Sequence, residues 1–516
     1  MTIKINSNSS IYKCNTLYDI IYKNKHDKKI ALYYQNKKIS YSMLNKYSKC
    51  FAAHLSSENI KSGDRVAILM ENSIEYIVSI FAISKINAIA IPINTFLTSR
   101  EIEYIINDAD IKNIIMSNIF ERNIDDNIKA KISKIIYKDS ILNDKTYDKY
   151  DICYIPRGEK ALDDEAVIMY TSGTTGKPKG VILTNRNILS NADAGSKHAN
   201  IKSKDRFIVF LPMFHSFTFT IGLILPLYSF SSVVIIKSVK PFNNIIKEIL
   251  LKRVTIVLGV PEVYKALSKA NLPWYFFIFN KINAFVSGGS PLQSEILETM
   301  QKRFKGADML EAYGLTEAGP TVSLNPRKKQ KLNSVGLPFP GYKIKIMQNE
   351  KEAAIREIGK VFVAGENIMK GYLNNFEETK KTIVDNFLKT GDLGYLDEEG
   401  YLFLVGREKD LIISKGMNIY PKEIEDLLDK HDIVKLSAVV GKLNEKNEEV
   451  VTAYIECDIN EHINTLEYEK ILKKYLEKQL AQYKIPKQFI FCNQLERNIM
   501  GKVNKQILKN NNIEDF

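Results

Sequence analysis

Cysteine is scarce and badly placed for cross-linking. The five thiols, Cys14, Cys50, Cys153, Cys457 and Cys492, are odd in number, far apart and never in a C-x-x-C pair. That excludes a disulfide framework and a thiolate zinc site, and it suits a reducing compartment. Proline and glycine are unremarkable at 15 and 25 of 516 residues, and no repeat or low-complexity tract is present, so neither disorder nor a solenoid is expected. Acidic residues are outnumbered, 60 against 73 Lys+Arg, which leaves +13. The excess is scattered, with only short clusters such as Arg327-Lys328-Lys329-Gln330-Lys331 and no basic tail, so a solvated surface is preferred to a nucleic-acid partner.

Long hydrophobic runs are also few. Phe217 to Ile236 is twenty residues without a formal charge, long enough to span a bilayer as a helix. Gly222, Pro226 and the hydroxyls of Thr218, Thr220, Ser229, Ser231 and Ser232 interrupt it, and Val233-Val234-Ile235-Ile236 reads as a buried strand. A core helix followed by a strand is expected, with at most peripheral membrane contact. Met1 to Asn8 are too polar for an export signal, so a cytoplasmic location is expected.

What is present is the rhythm of an α/β protein. Arg65–Met70 reads as a strand, a helix starts near Ser73, and Ala88–Ile91 reads as the next strand. A second helix opens on Thr98-Ser99-Arg100-Glu101, a capping box, before the strand Ile114–Met116. Strands at 207–210, 233–236, 255–258 and 284–287 extend the pattern into a second helix-covered layer, and short alternating segments from Ser334 to Leu404 form a β-rich module. Beyond Arg407 a helix at 421–429, strands near 437–440 and 450–455, a helix near 465–480 and a strand near 489–491 describe a small α+β unit. The expected organisation is a large N-terminal domain, 1–406, of two α/β subdomains plus the β-rich module, followed by a small mobile C-terminal domain, 407–516. The hinge is placed in Gly406-Arg407-Glu408-Lys409-Asp410.

The loop Tyr170-Thr171-Ser172-Gly173-Thr174-Thr175-Gly176-Lys177-Pro178-Lys179-Gly180 has the composition of a phosphate cradle. Glycines admit close approach of an anion, N–H groups and hydroxyls donate to its oxygens, and lysine balances its charge. It is not the Walker loop, because Gly173 and Gly176 enclose only two residues and Pro178 follows Lys177.

That string resembles the signature of the adenylate-forming superfamily, and further elements follow in the family's order: Leu211–Ser216 with His215, Ser287-Gly288-Gly289-Ser290-Pro291-Leu292, Ala312-Tyr313-Gly314-Leu315-Thr316-Glu317, Thr390-Gly391-Asp392, Gly406-Arg407, and Asn498-Ile499-Met500-Gly501-Lys502. Glu496 stands where the family usually has proline. The resemblance implies an ATP-dependent ligase that activates a carboxylic acid as acyl-AMP. Thr171, Ser172, Gly173, Thr174, Thr175 and Lys179 would cradle pyrophosphate, Gly288, Gly289, Ser290, Tyr313 and Gly314 would face adenine, and Asp392 and Arg407 would hold the ribose. Thr316 would touch the α-phosphate, Glu317 would ligate Mg²⁺, and Lys502 would bridge the attacking carboxylate. His215 would gate the site, Lys409 would be the hinge, and Gly416 would meet CoA.

The acid itself is read from the residues after His215. No carboxylate suited to a substrate ammonium is evident there, and Phe214, Phe217, Phe219, Ile221, Gly222, Leu223, Ile224 and Leu225, with Gly259-Val260-Pro261 and Ala318-Gly319-Pro320, are candidates to line an apolar pocket. A medium- or long-chain fatty acid transferred to CoA is the leading expectation. An acyl-carrier-protein ligase, an aryl-CoA ligase and a non-catalytic nucleotide-binding protein are the alternatives.

Overall fold

The computed structural model describes residues 14–142, 161–171, 178–236, 243–290, 292–414, 417–443, 449–458, 465–497 and 503–510. The expected helix at Ser73 is Ile74–Lys85, capped by the Ser73 hydroxyl, and every residue of it except Glu75 is buried. A helix apolar on all sides needs cover on all sides. The next, Ser99–Asp108, begins with both arms of the capping box in place: Glu101 N–H donates to Thr98 Oγ1 at 3.4 Å and Thr98 N–H to Glu101 Oε2 at 2.8 Å.

Among the described residues, one seven-stranded sheet runs in the order Gly371–Tyr372, Lys179–Thr184, Glu165–Thr171, Ile89–Pro92, Arg65–Leu69, Asn113–Met116, Lys134–Tyr137. A nine-stranded sheet has at its centre Asp308–Gly314, Ala284–Ser287, Ile256–Gly259, Arg206–Val209 and Ser232–Ile235, all parallel. Apolar residues of both sheets and of the helices between them share one core.

The nine-stranded sheet is parallel only in its centre, and the seven-stranded one is parallel from Glu165–Thr171 to the Lys134–Tyr137 edge. The N-terminal hairpin Ile30–Tyr34 and Lys37–Ser40 adds to the edge of the later sheet, pairing with Ser232–Ile235. The loop-bearing strands Glu165–Thr171 and Lys179–Thr184 form an antiparallel hairpin in the earlier one. The Phe217–Ile236 segment folds as expected, helix then strand, although Thr218–Ile224 is wound as a π-helix.

The β-rich module is an antiparallel sheet built on Lys343–Gln348, Gly359–Ala364, Phe387–Leu396 and Leu402–Arg407. After it, Leu436–Leu443, Glu449–Glu456 and Gln488–Cys492 make a separate three-stranded sheet with its own core, packed under the helices Pro421–Leu428 and Thr465–Glu477. That group meets the earlier residues through Gln293 Nε2, which donates to Asp429 Oδ2 at 3.2 Å.

Candidate active site

Ser172, Gly173, Thr174, Thr175, Gly416 and Lys502 lie outside the described residues. The hairpin that carries the phosphate-cradle loop is described on both sides of it, with Thr171 opposite Lys179 in the ladder. Lys179 is only 16% exposed; its ammonium pairs with Glu378 Oε1 at 2.5 Å and lies 5.1 Å from the Tyr372 ring centroid. Tyr372 arrives from far along the chain, because Gly371–Tyr372 pairs with Ile182 and Val181 and Leu373 N–H donates to Gly180 O. Its hydroxyl donates to Glu317 Oε1 at 3.0 Å. Burial, reinforced by the Glu317 carboxylate, holds that hydroxyl protonated far above the ordinary tyrosine range, so it remains a donor.

Glu317 and Thr316 sit in a tight turn just past the end of the strand Asp308–Gly314. The Thr316 and Ser216 hydroxyl oxygens are 3.0 Å apart, which joins this turn to the Leu211–Ser216 element. That element is pinned from the other sheet: Asn72 donates to Leu211 O and accepts from Met213 N–H, both at 2.8 Å, and Tyr76 donates to Met213 O at 3.0 Å. His215 Nδ1 lies 3.4 Å from Phe217 N–H. The bend at Gly314 requires glycine, since a Cβ there would fall 1.9 Å from the Pro320 carbonyl oxygen.

Tyr313 is buried, and its hydroxyl donates to Asp392 Oδ2 at 2.5 Å. Arg407 Nε approaches Asp392 Oδ1 at 3.1 Å, and the two residues face each other in the ladder between Phe387–Leu396 and Leu402–Arg407. Each carboxylate oxygen of Asp392 is thus oriented by one partner. Gly288 packs against the Phe217 ring, Gly289 has φ of +90°, and Ser290 follows at the rim. Lys409 is exposed in the turn Glu408–Asp410, where its carbonyl accepts from Lys509 Nζ at 3.4 Å.

A cavity of about 30 Å³ is lined in part by Phe217, whose ring packs on Gly288. Phe217, Ile221 and Leu225 wall one side of it and Ala284, Val286 and Ala312 the other. Of the expected lining residues, Phe217, Ile221 and Leu225 border it, and Phe219, Gly222 and Gly259 do not. Phe219 is fully buried core, Gly222 packs on Val209 and Leu258, and Gly259 faces the Tyr264 ring. The helix presents residues 217, 221 and 225 to the cavity and turns 219 and 222 away. The charged residue on the wall, Arg327, is committed to Ala199 O at 2.9 Å and Asn283 Oδ1 at 3.0 Å.

The described residues hold no group of three or more His, Cys, Asp or Glu side chains fit to cage a metal. Glu317 nonetheless suits Mg²⁺, which is commonly held by one carboxylate together with substrate phosphate oxygens. Tyr372 and Glu378, which had no expected role, were missed because no local motif marks them, and Ser216 was seen only as part of its string.

The fold and the site together define an adenylate-forming enzyme. The chain belongs to the AMP-binding enzyme family: that family's model matches residues 22–373, and the AMP-binding enzyme C-terminal domain matches 423–502. It is 33% identical to the 2-succinylbenzoate–CoA ligase of Oceanobacillus iheyensis, over 92% of this chain and 95% of that one. Identity is 29% with the long-chain-fatty-acid–CoA ligase of Salmonella typhimurium, over 91% and 90% of the two chains. The O-succinylbenzoate coenzyme A synthetase of Bacillus subtilis, solved in complex with ATP and magnesium ion, superposes with a TM-score of 0.82 at 28% identity, covering 96% of this chain and 99% of that one.

Proposed function

We propose that this protein is an acid–CoA ligase that activates a medium- or long-chain fatty acid through acyl-AMP. The observation that carries the choice of acid is the cavity lined by Phe217, Ile221 and Leu225: its walls are apolar, and its one cationic neighbour, Arg327, is already bonded to protein oxygens. An apolar group is stabilised against such walls, whereas a second charge would enter unpaired; at about 30 Å³ the space admits a chain only as the walls part.

In the first half-reaction a carboxylate oxygen attacks the α-phosphorus of ATP, the bond to the β-phosphate oxygen breaks, and pyrophosphate leaves. Two anions must meet, so the site has to supply positive charge and donors. In this reading Thr171, Ser172, Gly173, Thr174, Thr175 and Lys179 bind the departing phosphates, and Thr316 orients the α-phosphate. Glu317 holds the Mg²⁺ that accompanies ATP, whose charge offsets that of the phosphates. Gly288, Gly289, Ser290, Tyr313 and Gly314 take the adenine, Asp392 and Arg407 the ribose, and Lys502 bridges carboxylate and α-phosphate. In the second half the CoA sulfur attacks the acyl carbon and AMP leaves. His215 gates that entry, and the chain divides near Arg407 so that rotation at Lys409 exchanges Lys502 for the segment around Gly416.

The second reading, an aryl-CoA ligase, is favoured by the identity to 2-succinylbenzoate–CoA ligase over nearly the whole chain. Pyrophosphate release measured across fatty, aryl and dicarboxylic acids separates the two. The fatty-acid reading fails if aryl acids are turned over and alkyl acids are not. Lys502→Ala is expected to abolish acyl-AMP formation while ATP still binds; intact adenylation in that variant overturns the role given to Lys502.

A further inference from the structure

The short helix Trp274–Phe279 presents Trp-Tyr-Phe-Phe-Ile-Phe at the surface. Phe276 alone is buried, edge-on to Phe304 with ring centroids 6.3 Å apart. Trp274, Tyr275, Phe277, Ile278 and Phe279 are 74%, 45%, 39%, 61% and 63% exposed. The base of the helix is fixed by Arg303, whose guanidinium lies 5.8 Å from the Phe277 ring and donates to Ser268 O at 2.5 Å and to Ala270 O. A contiguous apolar patch of this kind on a fixed element marks a docking surface.

Charge selects the partner. No acidic residue occurs from Val263 to Ser294, while Lys265, Lys269 and Lys281 flank the aromatic run. Lys269 and Lys281 are exposed. Trp and Tyr beside apolar rings, with lysines around them and no acidic residue in the same stretch of chain, is the chemistry of an anionic lipid headgroup layer. A second copy of the chain would bring the same lysines towards one another across a two-fold contact, which disfavours a dimer through this face. No helix among the described residues is long and apolar enough to cross a membrane, so the contact is with the surface of the bilayer.

We propose that the helix Trp274–Phe279 docks the protein on an anionic phospholipid surface. The aromatic side chains enter the headgroup region, and Lys265, Lys269 and Lys281 pair with lipid phosphates. The inference holds whichever acid the site activates.

Trp274 is the chain's single tryptophan, so its fluorescence reports this helix alone. Vesicles of mixed phosphatidylglycerol and phosphatidylcholine are expected to shift its emission to the blue and shield it from acrylamide, and high salt should reverse both effects. Ile278→Ser combined with Phe279→Ser keeps the reporter and is expected to weaken vesicle partition by about tenfold or more. Lys265→Gln, Lys269→Gln and Lys281→Gln together should weaken it by roughly a hundredfold on anionic vesicles. Adenylation of a water-soluble acid and the far-UV spectrum should be unchanged in both variants, which sets docking apart from catalysis and folding. Unaltered Trp274 emission together with no flotation on anionic vesicles overturns the proposal. So does an emission shift that follows protein concentration without lipid and accompanies a doubled mass in light scattering, because the face would then join two copies.

Discussion

The Tyr372 hydroxyl donates to Glu317 Oε1 across 3.0 Å, and the ring of the same tyrosine faces the Lys179 ammonium at 5.1 Å. Lys179 and Glu317 are 138 residues apart in a chain of 516 and belong to different sheets and turns, yet both meet one side chain. A shared cleft between them is the condition that the adenylation reading requires.

Removing that hydroxyl tests the arrangement. Tyr372→Phe keeps the ring and deletes the donor, leaving Glu317 less firmly oriented. We expect kcat/KM to fall about tenfold, equivalent to ~1.4 kcal/mol, with a rise in the Mg²⁺ concentration needed for half-maximal rate. A magnesium titration that superposes on the parent enzyme's would dissociate Tyr372 from the metal-binding role given to Glu317.

The cavity lined by Phe217 and Ile221 should set chain length. Ile221→Trp projects bulk into a space of about 30 Å³. The variant is expected to favour shorter acids, with the ratio of kcat/KM for a long over a short alkyl acid falling about tenfold. Thermal melting of the same preparation shows whether the core has been overpacked. An unchanged ratio in a well-folded variant would locate the acyl chain elsewhere.

Gly314→Ala is expected to act on stability. Its Cβ would sit 1.9 Å from a backbone oxygen, which cannot move as a side-chain tip would. Displacing the strand end should cost about 3 kcal/mol and loosen the Thr316–Glu317 turn together with the fold. Denaturant unfolding monitored in parallel with pyrophosphate release checks both, and a loss of less than about 0.5 kcal/mol would contradict the account.

Burial pushes the Glu311 carboxyl up to about 7, with the Leu292 N–H and Lys422 opposing the shift and Asp426 adding to it. The folded chain therefore holds this proton in a range where the unfolded chain has released it. Its contribution to stability is complete below the ordinary glutamate range and is lost as pH rises towards 7, up to about 3 kcal/mol in all. Glu311→Gln should flatten that dependence, so that stability relative to the parent improves more at pH 8 than at pH 5. Parallel melting curves at the two pH values decide the matter; equal differences at both would rule Glu311 out as the titrating group.

Legibility followed periodicity. The helix after Ser73 and the box at Thr98 were visible because local patterning and capping dictate them, and the structure places both within a residue of the reading. The pairing of Ile30–Tyr34 with Ser232–Ile235 was not visible, since strand partners some 200 residues apart leave no local trace. At the site, the strings around His215, Glu317 and Asp392 marked residues that the fold brings together. The apolar segment after His215 was legible as a whole but not face by face: of the residues read as pocket-lining, Phe217, Ile221 and Leu225 border the cavity and Phe219 and Gly222 do not, because a greasy run does not reveal which face a π-helical turn presents. Tyr372 and Glu378 went unnoticed because their part depends wholly on a distant two-residue strand.

That edge strand also governs how the molecule can come into being. Because Gly371–Tyr372 closes the border of the sheet carrying Lys179, a polypeptide emerging from the ribosome must extend nearly 200 residues past the hairpin before the sheet acquires this strand. Until then the half-made enzyme exposes a bare sheet margin, the kind of surface that chaperones shield and that neighbouring nascent chains can capture.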